Sequence, residues 1–177
     1  MIFDGADSLP ANAIFPDEIK QLRNQKEKIV EISRLVIDPN YRNAKEILIN
    51  LFNYLYIFSY FVKDFSCLTI EVNPRHKEFY RSLLAFEEIA KEKPCPNVQN
   101  APAVLLHIPL WLNKAEIFKG LNNKLEGKNR SLFPYFLSPE KEIMVADYLQ
   151  KQYKPITEEE KIYFGFNESG IGKIVQI

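Results

Sequence analysis

Arg42 and Lys45 stand three residues apart at a corner, DPNYRNAKE (residues 38–46), where a strand-like stretch turns into what reads as the start of a helix. A helix N-terminus carries unpaired N–H groups and a partial positive charge, so two cations placed there can hold a phosphate. The corner contains no glycine, the residue that normally lets a backbone approach a pyrophosphate closely. Asn43 and Glu46 have the spacing of a capping box, which occupies donors and adds negative charge to the first turn. These features compete with a diphosphate. They leave a single phosphate, held in a more exposed geometry, as the chemistry the corner can support; an ordinary capped helix with two surface cations explains the same residues, and the cap alone establishes no ligand.

Other reactive side chains are few. Cys67 and Cys95 cannot form a disulfide framework and lack metal-ligand neighbours at the usual spacings. Cys95 lies between Pro94 and Pro96, a rigid setting that argues against covalent catalysis. His76 and His107 are the only 2 histidines and no acidic cluster joins them, so no metal site is expected. Glu31 and Ser33 share one face of the strand-like KIVEISRLVID, and Arg34, three positions beyond Glu31, points to the other. Without a nearby histidine or lysine in that motif, Ser33 is not expected to be a nucleophile.

The elements that must position these groups follow from patterning. Residues 5–16 have the composition of a loop, and DEIKQLRNQ can then form a short helical turn. KIVEISRLVID reads as a strand covered on both faces for part of its length. A helix follows from about Ala44, its apolar run continuing to Val62, and CLTIEVN is the next strand. Asn73 and Pro74 cap the helix RHKEFYRSLLAF, and APAVLLHIPL makes a third strand after the proline-broken KEKPCPNVQN. Asn113 with Glu116 is expected to cap a helix ended by Gly127, Ser138 and Pro139 to open another, and Thr157 with Glu160 a last short one. This order predicts the α/β (α+β) class, a mixed sheet flanked by helices, with residues 1–110 as its core and residues 111–177 as a C-terminal helical extension packed on the same domain.

Composition sets the bounds. A chain of 177 residues can bury a sizeable core as one domain. Lys plus Arg and Asp plus Glu are equal at 23 each, so no global field draws it to nucleic acid. The most apolar run, Ile47 to Val62, is shorter than the roughly 20 residues needed to span a membrane and carries Asn50, Asn53 and Ser59. No transmembrane segment or secretory signal is expected, and a reducing cytoplasm is the simplest home.

Three separated stretches, EISRLVIDP, NPRHKEFYRSLLAF and KPCPNVQNAPAVLLHIPL, resemble in order and spacing the bacterial long-chain N-acyl amino acid synthases of the GNAT acyltransferase superfamily. EISR is also similar to the E-x-S-R segment of the related acyl-homoserine-lactone autoinducer synthases. The resemblance runs from about Leu9 to Leu110. It implies a partial GNAT-like fold and transfer of a fatty acyl group from the phosphopantetheine thioester of acyl carrier protein to the amine of an amino acid, with no permanently bound cofactor. The common GNAT pattern places glycines where this chain has Lys45 and Ile47; their replacement favours carrier protein, with its single phosphodiester, over acyl-coenzyme A.

On the same basis Glu31 matches a glutamate that acts as base, and Tyr80 the tyrosine that protonates the leaving sulfur. The backbone at Leu35, Val36 and Ile37 would hydrogen-bond the pantetheine amides, and Arg42 with Lys45 would meet its phosphate. Ser33 would orient Glu31 or the acceptor, Arg34 would serve pairing or carrier contact, and Asn73 and His76 would brace the helix start or touch the acceptor. Aromatic residues, 13 Phe and 9 Tyr, suit an acyl tunnel or an ordinary core equally well. A GNAT fold begins with a strand, two helices and another strand before the motif strand, whereas only 27 residues precede Lys28 here. The expectation is a match that starts inside the fold, near the end of an earlier strand at Ile2 and Phe3, with an exposed sheet edge that invites self-association. The competing expectation is a truncated, inactive remnant or a carrier-protein-binding module.

Overall fold

Ile29, Val30, Glu31 and Ile32 are all buried, because the strand they form has a packed layer on each face. The computed structural model describes residues 1–5, 9–33, 35, 38–41, 45–122, 130–154, 157 and 159–160. In chain order the elements are β1 (Ile2–Phe3), α1 (Pro16–Asn24), β2 (Ile29–Ile32), α2 (Lys45–Ile57), β3 (Cys67–Val72), α3 (Lys77–Leu84), β4 (Glu87–Glu88), β5 (Lys93–Cys95), β6 (Ala101–Pro109), α4 (Leu110–Asn122) and α5 (Pro139–Gln152), linked in places by 3-10 turns. The sheet runs β1-β2-β3-β6-β4, with β5 also on β6. Only β2 and β3 are parallel, joined through α2, which makes this a mixed sheet of the α+β class expected from the sequence.

Alternation along the strands sorts two cores. Val30, Ile32, Leu68, Ile70, Val104, Leu106 and Ile108 face α2 (Phe52, Tyr56), α3 (Tyr80, Leu84) and α4 (Ile117). Ile29, Cys67, Ala103 and Leu105 face Phe15, Leu9 and Ala11 together with Ile19 and Leu22 of α1. Six register pairs, Cys67–Pro109 to Val72–Val104, hold β3 to β6. Four hold β2 to β3, and among the described residues that pairing ends at Ile32–Ile70.

The helices follow local signals. α1 begins with Pro16, carries Asp17 and Glu18 in its first turn and ends near Arg23, matching the helix dipole. It is a full nine-residue helix, longer than the expected turn. The Asn73 side chain accepts from the Arg75 N–H at 3.1 Å ahead of a 3-10 turn that leads into α3, as its cap spacing predicts. The long apolar run is α2 continued by a π-helical stretch over Phe58–Val62, and no helix among the described residues is long and apolar enough to cross a membrane. Inside α2 the buried Asn53 amide donates to Ile49 O and accepts from the Leu137 N–H, both at 3.0 Å, tying the helix to the segment before α5.

One expected cap is corrected. Asn113 does not start a helix, because β6 runs straight into α4 at Leu110, which is fully buried and donates its N–H to Ser66 O at 2.8 Å. Asn113 therefore sits inside α4, buried, with its Oδ1 unpartnered. The Thr157–Glu160 capping box is present, with Glu160 N–H donating to Thr157 Oγ1 at 3.2 Å and Thr157 N–H to Glu160 Oε2 at 2.8 Å. Both cysteines are free and buried. The expected Asn43 cap and the helix end at Gly127 lie outside the described residues.

Candidate active site

Glu31 points to the face covered by the N-terminal segment, where the 3-10 turn Pro10–Ala13 brings the Ala11 N–H to 2.9 Å from its Oε2. The side chain is 2% exposed. Burial pushes its carboxyl up to about 7; the Ala11 hydrogen bond opposes the rise and the nearby Glu71 carboxylate adds to it. A carboxylate in that range can exchange a proton near neutrality, as a general base must.

An arginine clamp places the Ala11 turn. Arg23 Nε and Nη2 donate to the two oxygens of Asp4 at 2.8 and 2.7 Å, while Nη1 donates to Asn12 Oδ1 at 3.1 Å. This joins α1, the end of β1 and the residue next to Ala11. Lys93 binds both oxygens of Glu18 at 2.9 Å and closes the same layer from β5. Arg23→Ala is expected to cost about 1–2 kcal/mol, the upper part of the charged hydrogen-bond range being discounted for exposure. Urea unfolding measures that loss, and Arg23→Lys should recover only part of it because lysine lacks the two-pronged geometry.

Tyr80 occupies the other side of the sheet. Its ring meets Phe52, Phe79 and Phe86 at centroid distances of 6.4, 5.1 and 6.0 Å, and burial pushes its phenol up, which keeps the proton on oxygen. Glu31 and Tyr80 are thus on opposite faces. Among the described residues the β2–β3 pairing ends at Ile32–Ile70, while β3 continues against β6 to Val72.

Ser33 is half-buried just past the end of β2, and the Leu35 side chain packs with the α2-side core. Lys45, exposed at the start of α2, lies 3.7 Å from the centroid of the Tyr135 ring. His76 is exposed and its Nε2 accepts from Arg75 Nε at 3.0 Å. Arg34, Val36, Ile37 and Arg42 lie outside the described residues.

The aromatic side chains near α2 pack mainly on one another, as in the stacked Tyr56–Tyr60 and edge-on Tyr56–Phe61 pairs. A surface cavity of about 200 Å³ opens beside Lys28, Ser66 and Trp111. It lies at the amino ends of β2 and β3, whereas ligands of open α/β sheets sit at the carboxyl ends of the strands, where Ser33 and Glu71 are. On the Glu31 face, Cys67 Sγ approaches His107 Nδ1 at 3.8 Å. Burial pushes that thiol up to about 12, so it is no nucleophile, and burial lowers the His107 pKa against opposing effects of Glu87 and Glu27.

Sequence reasoning missed Ala11, Arg23 and Glu71. Ala11 acts through its backbone, which leaves no side-chain signal. Glu71 could have been found, because alternation in CLTIEVN puts it on one face with Thr69 and Cys67.

The family model of the N-acyl amino acid synthase FeeM matches residues 1–109, and the chain belongs to that family. The solved structure of FeeM, an N-acyl amino acid synthase from uncultured soil microbes, is similar at 28% identity with a TM-score of 0.57, over 64% of this chain. The chain spans 60% of the length of that protein. The fold is accordingly GNAT-like, as the motif order implied. No curated protein matches the chain at the same stringency.

Proposed function

We propose that the chain is an N-acyltransferase that moves a long acyl group from the phosphopantetheine thioester of acyl carrier protein to the amine of an amino acid in the cytoplasm. The observation that carries this reading is Glu31, the first residue of the E-x-S-R motif, a buried carboxylate on β2 held by the Ala11 N–H and shifted to about 7. Membership of the N-acyl amino acid synthase family supports the reaction class.

Glu31 takes a proton from the acceptor ammonium, and the freed nitrogen attacks the thioester carbonyl. Nitrogen–carbon bond formation gives a tetrahedral oxyanion, polarised by backbone N–H groups after β2. The carbon–sulfur bond then breaks, the Tyr80 phenol gives its proton to the departing thiolate, and the nitrogen gives up its second proton, which restores the phenol, as the amide forms. Tyr80 would act from the α2 side of the sheet and Glu31 from the other. Arg42 and Lys45 would meet the phosphodiester of the arm, with Lys45 already seated on the Tyr135 ring. The missing glycines at Lys45 and Ile47 support carrier protein over coenzyme A as donor.

The test incubates the purified chain with long-chain acyl carrier protein and an equimolar amino acid mixture, and seeks N-acyl products by mass spectrometry beside Glu31→Gln. Product from the wild type that is lost in the variant is expected. Absence of product from a folded wild type would sink the transferase reading, and undiminished product from Glu31→Gln would sink the base assignment.

A further inference from the structure

The cavity of about 200 Å³ lies where α1 ends and β2, β3 and α4 begin. Three aromatic side chains, Tyr60, Phe65 and Trp111, line it together with Lys26, Lys28 and Asp64, and Ser66 supplies a hydroxyl. Lys28 stands three residues before Glu31, about 10 Å along an extended chain, so the cavity is apart from the candidate base. An apolar cavity of about 150 Å³ admits a benzene ring, and this volume therefore takes one ring with a short polar arm.

Two of the aromatic groups are anchored from behind. Tyr60 stacks on Tyr56 at a centroid distance of 5.7 Å and meets Phe61 at 5.0 Å, while Phe65 meets Phe3 at 4.9 Å. Trp111 differs: it is 65% exposed, and among the described residues no ring or cation packs on it. An indole left open beside two fixed rings is a surface that a flat ring can cover.

The charges at the cavity leave one cation over. Lys28 Nζ is bonded to Asp64, and the Ser66 hydroxyl is spent, since it donates to Glu27 Oε2 and accepts from the Lys28 N–H at 2.8 Å. Beside the lining residues stand Glu27, bonded to Ser66, and Lys114, 5.5 Å from the Tyr60 centroid, one charge of each sign. Lys26 is exposed, and among the described residues no carboxylate contacts it. It sits just past the end of α1 in left-handed backbone (φ 62°), a position usually given to glycine, and it offsets the negative end of that helix. Trp111 belongs to the first turn of α4, where backbone N–H groups lack helical acceptors and no acidic side chain is placed. This balance suits a single negative charge attached to an aromatic ring.

We propose that the cavity is a binding site for a small aromatic monocarboxylate, whose ring covers Trp111 and whose carboxylate meets Lys26. The site stands independently of the transferase reading. Because Lys28 is held by Asp64, removal of that carboxylate frees a second cation for the ligand.

The probe is phenylacetate. Trp111 is the only tryptophan of the chain, so its indole N–H resonance in a ¹H–¹⁵N spectrum reports on this cavity alone. Phenylacetate should shift that resonance saturably, and added salt should weaken the binding. The uncharged isostere phenylacetamide should bind about fivefold more weakly, as should phenylacetate to Lys26→Gln, the loss expected for an exposed charge pair. Cyclohexylacetate, which keeps the charge and lacks the aromatic ring, should also bind several-fold more weakly. Asp64→Asn, tolerated in its left-handed backbone (φ 55°), should bind phenylacetate about twofold or more tightly. Absence of a saturable shift, equal affinity for phenylacetamide or cyclohexylacetate, or undiminished affinity in a folded Lys26→Gln overturns the proposal. Benzylamine binding more tightly than phenylacetate, or weaker phenylacetate binding by Asp64→Asn, overturns it as well and assigns the cavity no anion.

Discussion

Glu31→Gln should abolish most of the proposed acyl transfer and at the same time make the protein more stable above neutral pH. Loss of a positioned base removes about 10²- to 10⁴-fold of rate. The stability gain follows from linkage. The folded-state pKa of Glu31 is raised to about 7 from 4.5, so between those values the folded chain binds a proton that the unfolded chain has released. Stability associated with this group is therefore present below the unfolded pKa and falls as pH rises toward 7. A shift of that size corresponds to about 3 kcal/mol, withdrawn by pH 8. Glutamine keeps an oxygen for the Ala11 N–H and carries no charge to bury, so the variant should lack this part of the pH slope. Thermal melts of both proteins at pH 5 and pH 8 read the difference directly: near-equality at pH 5 and a rise in Tm of roughly 5 °C for the variant at pH 8. Glu142 is also buried with a raised pKa, but its contribution is common to both proteins and cancels. Parallel pH profiles would show that Glu31 ionises in the folded chain as it does when unfolded, and would remove its fitness as a base at neutrality.

The same residue shows what sequence can and cannot reveal. Its motif was legible, and so was the alternation that places Val30 and Ile32 on one core and Glu31 away from them. The sequence order of β2, α2, β3, α3 and β6 could also be read, because each is long enough for its period to show and Asn73–Pro74 marks a boundary. β1 and β4, at two residues each, carry no periodicity and exist only through their partners β2 and β6. Of the expected strand KIVEISRLVID, β2 covers Ile29–Ile32 and Ser33 and Leu35 lie outside it, a boundary set by the register to β3, which sequence does not contain; Arg34, Val36 and Ile37 lie outside the described residues. Asn113 misled for a related reason. It has the chemistry of a cap, yet burial of Leu110 at the end of β6 started the helix one turn earlier. The proton affinity of Glu31 depends on an N–H 20 residues away and a carboxylate on another strand, both brought by tertiary structure alone.

Gly120→Ala should destabilise the fold by about 2–3 kcal/mol, although alanine is the better helix former by about 1 kcal/mol. A Cβ built on Gly120 would lie 2.8 Å from Phe133 Cβ, 2.9 Å from Phe133 C and 2.9 Å from Pro134 N. Two of these are backbone atoms of the turn Phe133–Tyr135, so no flexible side-chain end can swing aside. The turn itself would have to move, and it carries Phe133 and Phe136 into the core shared with Tyr80 and Phe52. It is also tied to α3, since the Leu132 N–H donates to Leu83 O at 2.9 Å. Pushing it away therefore loses aromatic burial and strains the helix that holds Tyr80, which outweighs the gain in helix propensity. Urea unfolding should show a lower midpoint with an unchanged m-value. Lys119→Ala, on the exposed neighbour, should stay within about 0.5 kcal/mol of the wild type and so separates contact from propensity. A Gly120→Ala protein as stable as the wild type would mean that the turn can retreat without losing its packing, and that Tyr80 is held by α2 and α3 alone.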